Sequence, residues 1–284
     1  MNGNENKVKG NSNDINGSIN VVKGDQNNVK GDENLLEGSN NTLEGRLNVM
    51  KGDSNLVKGD ENSVVGDQNT MVGDKNVVRG DENKLKGDQN VVEGHRNDLE
   101  GDNNSVAGND NLARGDNNYM KGDKNKVSGD NNGIMGDRNQ VMGNANGIQG
   151  DENKVKGDKN AVKGDLNRVI GSENQLEGNE NKVKGDKNRV KGHHNAMQGD
   201  NNDVVGGFNT LIGSSNMLAG LKNSILGSDN KVRGDENTVE GGNNFANGSS
   251  NKVKGKENHL DGSGNHVFGD SNTVITDLEG FDFW

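Results

Sequence analysis

Thirty-nine consecutive heptads, running from Gly3 to Ile275 without insertion or deletion, occupy almost all of this 284-residue chain. Each unit reads G-x2-x3-N-x5-V-x7, the digit giving the place within the unit. Gly opens all 39 units and Asn holds the fourth place in all 39. The sixth place is always apolar, with 21 Val, 8 Leu, 4 Ile, 4 Met and 2 Ala, and the second is Asp in 20 units. Periodicity this strict specifies one structural unit built repeatedly. It overrides composition, which at 26% apolar, 2% aromatic and a net charge of −11 would by itself suggest disorder.

A coiled coil needs two apolar positions per heptad and tolerates Gly poorly, so the helical reading fails. Strand plus turn succeeds. With places three to seven extended and alternating, the repeat Asn and the sixth-place residue share one face, and x3, x5 and x7 share the other. Branched Val suits a pleated surface. The repeat Gly reaches positive φ cheaply, and Asp at x2 bonds local backbone, so these two places form the turn. The chain has no Pro, as expected if nearly every strand lies inside a ladder.

One heptad reverses the chain about half a circle, so two should close a coil of fourteen residues. Charges at x7 support that wrap. At a separation of fourteen, opposite signs face each other at Lys23/Glu37, Lys30/Glu44, Glu44/Lys58, Lys163/Glu177, Glu177/Lys191 and Glu240/Lys254, and again at Arg79/Glu93, Lys86/Glu100 and Glu100/Arg114. Stacked neighbours favour opposite charges. The expected fold is all-β: a β-solenoid (β-roll) of 14-residue coils, two heptads per coil, with two parallel sheets and a thin apolar core. At a strand spacing near 4.8 Å, about 19 coils would extend roughly 90 Å. Residues 3–275 form a single repeat domain in this reading, and 276–284 a C-terminal cap or tail in which Phe281, Phe283 and Trp284 cover the last coil. Ala113 and Ala246, the two small sixth-place residues, should pack loosely.

The xxNxVxG pattern, carried for instance by Asn55, Val57 and Gly59 and by SNTVITD at 271–277, resembles the ice recrystallisation inhibition domain of cold-hardy grasses. The resemblance covers nearly the whole chain. It implies a left-handed β-roll that adsorbs to ice through a flat face, with an ice surface as partner, no cofactor and no catalysis. A similar roll forms the heads of trimeric autotransporter adhesins, so a structural or protein-interaction rod is the alternative. Those heads carry an export signal and a membrane anchor that are not seen here. No secretory leader is apparent either, which points to the cytoplasm unless the chain is a mature fragment, as relatives are extracellular.

Ice contact needs a flat, weakly charged grid. In the family that the chain resembles, short Thr and Ser fill the outward places, whereas here the x7 column alone holds 15 Lys or Arg. The site is therefore expected where charge drops out. Even-numbered units form one face and odd-numbered units the other. On the even face, Ala196/Gln198, Thr210/Ile212 and Ser224/Leu226 stack in sequence, followed by Thr238/Glu240. A smaller uncharged window, Gly133/Met135 and Gly147/Gln149, falls on the odd face.

Other chemistry is weaker. Asp53, Asp60, Asp67, Asp74, Asp81 and Asp88 recur at x2 and raise a calcium alternative, against which ordinary turn chemistry is the expected role. Basic residues crowd 152–191, namely Lys154, Lys156, Lys159, Lys163, Arg168, Lys182, Lys184, Lys187, Arg189 and Lys191. A solvated like-charged stretch is expected there, and a polyanion site is the alternative. Neither nucleic-acid nor membrane binding is expected, since the pI is 5.0 and no long apolar run exists. His95, His193, His194, His259 and His266 form no metal-ligand set, the chain has no Cys, and the recurrent Gly opens no helix.

Overall fold

A computed structural model describes residues 1–52, 56–66, 68, 70–78, 82, 87–93 and 98–276. The chain divides into two compact units, Met1–Ala145 and Asn146–Trp284. Both are built the same way. Every strand is three residues long or shorter, covers places five to seven, and pairs in parallel with the strand fourteen residues away. In the first unit Val21, Val22 and Lys23 lie opposite Leu35, Leu36 and Glu37. In the second, Lys154, Val155 and Lys156 lie opposite Arg168, Val169 and Ile170. Alternate heptads enter opposite sheets, so each unit is a parallel β-solenoid of two-heptad coils.

The described sixth-place side chains from Ile15 to Val267 fill the interior. Val22, Leu36 and Met50 are at most 1% exposed, as are Val169, Val190 and Val204 in the second unit. Ala113 and Ala246 are also fully enclosed, at 0% exposed. The described fourth-place Asn residues from Asn20 to Asn258 lie inward beside them and form the rungs of an amide ladder. Asn188 donates from its backbone N–H and from Nδ2 to Asn174 Oδ1, both at 3.0 Å, and Nδ2 reaches the Gly199 carbonyl at 2.8 Å. This satisfies groups that burial would otherwise penalise.

Backbone donors outside the strands are accounted for place by place, nearly all by partners one coil away. The first-place N–H reaches the x7 carbonyl, as from Gly164 to Gln149 at 2.8 Å. The second-place N–H reaches the next x2 side chain, as from Asp151 to Asp165 Oδ1 at 2.7 Å. The third-place N–H reaches the x2 carbonyl, as from Leu166 to Asp151 at 2.9 Å, and the fifth-place N–H reaches an Asn carbonyl, as from Ala161 to Asn174 at 2.8 Å.

The turn differs from the sequence expectation at one place. The third place does not begin the strand. It sits in the left-handed region, with φ between 54° and 63° for residues as unlike as Ile19, Leu166, Lys187 and Phe208. An outward-pointing residue fits both conformations, so alternation alone could not separate them. The first-place Gly is required by close approach. Gly157 has φ 128°, and a Cβ there would collide with the Gly171 carbonyl oxygen.

Several expectations fall on residues outside those described: Phe281, Phe283 and Trp284, the Asn55 cited in the motif, Asp53, Asp67 and Asp81, His95, and the charges at Arg79 and Lys86. The side chains of Glu93 and Glu100 are outside them too.

Candidate functional site

Outward places five and seven of each strand form two columns on each sheet, and the solenoid register sets what stands beside what. In the second unit, three consecutive even-face pairings align Ala196 with Thr210, Thr210 with Ser224 and Ser224 with Thr238. The same pairings align Gln198 with Ile212, Ile212 with Leu226 and Leu226 with Glu240. The structure thus brings all seven sequence-predicted residues onto one continuous patch. Ala196 is half-buried, and Gln198, Thr210, Ile212, Ser224, Leu226 and Thr238 are exposed. The grid is set by backbone, with steps of about 4.8 Å between strands and about 7 Å between the two columns. It carries no charge from Ala196 until Glu240.

A shallow depression of about 390 Å³ opens at the edge of this patch, bounded by Ala196, Gln198, Thr210 and Ile212 on one side and by Arg168, Ile170, Lys182 and Lys184 on the other. It forms where short Ala196 stands between longer neighbours. The adjoining turns carry an aromatic contact. His194 stacks on Phe208 with ring centroids 4.7 Å apart, and Phe208 is 61% exposed.

The smaller odd-face window divides between the two units. Gly133 and Met135 lie on a strand of the first, Gly147 and Gln149 on a strand of the second, and neither glycine has an atom within 4 Å of where a Cβ would stand.

A second surface escaped the sequence reading. On the odd face of the first unit, the fifth-place column reads Val21, Leu35, Val49, Ser63, Val77, Val91, Ser105, Tyr119 and Gly133, with each strand paired to the next. No member is charged, and Leu35 and Val49 are each 47% exposed. Ile19 and Leu47, on the turns feeding these strands, are exposed too. Reading x5 at fourteen-residue steps would have revealed it.

Beside that column the x7 charges pair off. Lys23 Nζ lies 3.0 Å from Glu37 Oε1, and Lys30 lies 3.1 Å from Glu44 on the opposite sheet. Among the other described x7 pairs, Lys58–Glu44, Lys163–Glu177, Lys191–Glu177 and Lys254–Glu240 close to between 3.3 and 4.0 Å, while Lys51 opposite Glu37 acts through its charge alone. Hydrogen bonding from Lys23, followed by its charge, holds the Glu37 carboxyl below the ordinary carboxylate range, and Lys30 does the same for Glu44.

The x2 Asp column takes part in the turn. Asp74, Asp88, Asp102, Asp116 and Asp130 each accept the N–H of the preceding x2 residue at 2.6–3.1 Å. Among the described residues no group of three or more His, Asp or Glu is placed to hold a metal ion.

The profile of the grass antifreeze beta roll matches residues 44–136, 122–207 and 191–278. The chain belongs to this family. The matches carry the antifreeze beta-roll pattern through both units, including the whole even-face patch at 196–238. No curated protein matches the chain. Among solved structures, the polySia-specific acetyltransferase NeuO shares 14% identity over 81% of this chain and 80% of its own, at a TM-score of 0.13, too low to support a structural argument.

Proposed function

We propose that this antifreeze beta roll adsorbs to ice and slows the growth of large crystals at the expense of small ones, by surface contact and without a chemical reaction. The observation that carries this reading is the uncharged two-column patch on the even face, where Ala196, Thr210, Ser224 and Thr238 form one column and Gln198, Ile212 and Leu226 the other. Water over a charged surface is held by mobile Lys and Arg side chains. Over this patch it meets short hydroxyl, methyl and aliphatic groups fixed at intervals of about 4.8 and about 7 Å. Such a rigid array can order a water layer that merges with a lattice. Family membership supports the same reading. A protein of this kind would serve tolerance of freezing.

The direct test is ice-grain growth in thin frozen films held just below melting. The double variant Thr210→Lys with Ser224→Lys places two long cations at the patch centre and should abolish inhibition while leaving the far-UV spectrum unchanged. Unchanged inhibition would remove this patch as the site. The odd-face column of the first unit is then the next location, favoured by its exposed Val and Leu side chains, and Leu35→Lys with Val49→Lys would show it.

A further inference from the structure

The ten basic residues crowded into 152–191 look like one cluster in the sequence, but the wrap sorts them into two environments. Lys163 and Lys191 point to the odd face and share Glu177, at 4.0 and 3.8 Å. Lys159 lies 4.0 Å from Glu173. Lys154, Lys156, Arg168, Lys182 and Lys184 all emerge on the even face, on three consecutive strands. Register places Lys154 against Arg168 and Arg168 against Lys182, while Ile170 stands between Lys156 and Lys184. All five cations are exposed, and none forms an ion pair among the described residues.

Directly stacked like charges repel. Lys23, Lys30, Lys163, Lys191 and Lys254 each meet a Glu at x7, whereas this strip has no acid on its own strands. The nearest acids lie on the flanking turns, at Asp151, Glu152, Asp158, Asp165, Glu173, Glu180 and Asp186; of these Glu173 lies 4.0 Å from Lys159 and Glu180 3.1 Å from His194, while Asp165 and Asp186 accept the N–H groups of Asp151 and Ser172 at 2.7 and 2.6 Å. Acids on the flanking turns balance much of this charge, but the strand face between them presents cations alone. The fold gains nothing from the arrangement. An external anion would gain from it, because closely spaced cations raise the local potential.

The depression beside the strip narrows the chemistry. Arg168, Lys182 and Lys184 supply charge, Ile170 and Ala196 an apolar floor, and Gln198 and Thr210 bordering hydrogen-bonding groups. Cation, aliphatic surface and amide or hydroxyl together match a sugar ring bearing a carboxylate. The cations recur at the strand interval along a straight line, which suits a linear polymer with one negative charge per ring. We propose that the even face of the second unit binds a linear acidic polysaccharide, a polyuronate, along Lys154, Lys156, Arg168, Lys182 and Lys184, with a sugar ring seated in the depression. Nucleic acid fits less well, since the strip has no aromatic side chain for bases to stack on. A membrane surface fits less well, since the strip offers only Ile170 as an aliphatic group to insert.

The test uses the full chain and soluble polygalacturonate in affinity electrophoresis, with amylose, single-stranded DNA and phosphatidylserine vesicles as parallel probes. Polygalacturonate should retard the protein, added salt should weaken the effect, and amylose should have none. The triple variant Lys154→Gln, Arg168→Gln, Lys182→Gln should weaken binding at least tenfold. The odd-face pair Lys163→Gln, Lys191→Gln should leave it unchanged. The triple variant changes only exposed side chains and relieves repulsion, so its melting temperature should be equal or higher. No retardation by polygalacturonate, equal binding by the triple variant, an equal loss from the odd-face pair, or tighter binding to DNA or vesicles would each overturn the proposal. Ice-grain growth measured on the same triple variant separates the two readings, because inhibition through the 196–238 patch should persist when polyuronate binding is lost.

Discussion

Removing one rung of the amide ladder should destabilise the solenoid far more than a single polar side chain ordinarily does. At Asn174, Nδ2 donates to Asn160 Oδ1 at 3.0 Å and to the Gly185 carbonyl at 2.8 Å. Its Oδ1 accepts two bonds from Asn188, from the backbone N–H and from Nδ2, both at 3.0 Å. Asn174→Ala deletes all four. Asn160 Oδ1 keeps the Asn174 backbone N–H at 3.0 Å, and Asn188 Nδ2 keeps the Gly199 carbonyl at 2.8 Å. Left without these partners are the Asn188 N–H, one Asn188 amide hydrogen and one lone-pair direction of the Gly185 carbonyl. Asn188 is 1% exposed and Asn174 0%, so water has little access. At ~1–3 kcal/mol for each orphaned group, reduced by local relaxation, the cost is about 3–5 kcal/mol. Asn174→Asp should cost more, because a carboxylate cannot donate and would face two oxygens. Native-state hydrogen exchange reads the effect where it falls. Nearest-neighbour stability predicts faster exchange at Asn188 and along Arg189–Lys191, with coils far from the substitution little changed. A loss of about 3 kcal/mol corresponds to a hundredfold or greater acceleration. Acceleration below tenfold at Asn188 would refute the claim that the ladder holds the coils together.

Gly157→Ala should destabilise by more than about 3 kcal/mol, since it adds a clash with the Gly171 carbonyl to an unfavourable φ. Gly147→Ala, whose Cβ would enter open space, should cost little, and thermal melts of the two variants give the comparison. Leu166, 51% exposed with φ 59°, should gain about 0.5–1 kcal/mol on replacement by Asn, which tolerates the left-handed region better; a melting temperature lowered by Leu166→Asn would contradict the strain assigned to the third place. Glu37 should titrate below its ordinary value of 4.5 in carboxyl-resolved NMR, and Lys23→Gln should move it upward. Because that carboxyl is depressed in the folded chain, its contribution is present above the ordinary value and is lost as pH falls through the folded one. Exposure of both side chains keeps the contribution small, and an unmoved titration in Lys23→Gln would exclude the pair as its cause.

Much of the architecture was legible because three of the seven places are nearly invariant and each has one physical job. Gly allows backbone approach, Asn makes the ladder, and the sixth place fills the core, so period and burial could be read together. Alternating charges at x7 gave the fourteen-residue wrap directly, and Lys23–Glu37 and Lys30–Glu44 show the side chains meeting as that wrap requires. The third-place turn conformation was not legible, because Ile19 and Leu166 point outward whether extended or left-handed. The even-face patch could be placed from register alone. The depression beside it could not, since its depth depends on Ala196 being short among longer neighbours. The aliphatic column from Val21 to Val77 was hidden for another reason. Val at x5 reads as ordinary strand propensity until it is followed at fourteen-residue steps.

That division of labour gives the outward places their value as evidence. Backbone donors at places one to five are satisfied by main chain, by x2 side chains or by the Asn ladder, and the core needs only the sixth place. Among the described residues the ladder and turn bonds use no x5 or x7 side chain, and the x7 ion pairs between coils are exposed and worth little each, so almost any residue is compatible with the fold there. Folding therefore explains neither five cations stacked on one side of three strands nor seven uncharged residues on the next ones. The two strips adjoin on one sheet and share a depression, yet they demand opposite things of the water above them: strong hydration at Lys182 and Lys184, and a quiet ordered layer at Thr210 and Ser224. A function that needed only one kind of surface would favour extending it along the sheet. The abrupt change between Lys184 and Ala196 instead argues that the sheet presents two contacts, one to a charged polymer and one to a crystalline face. Variants on either side of that boundary should fail in different assays.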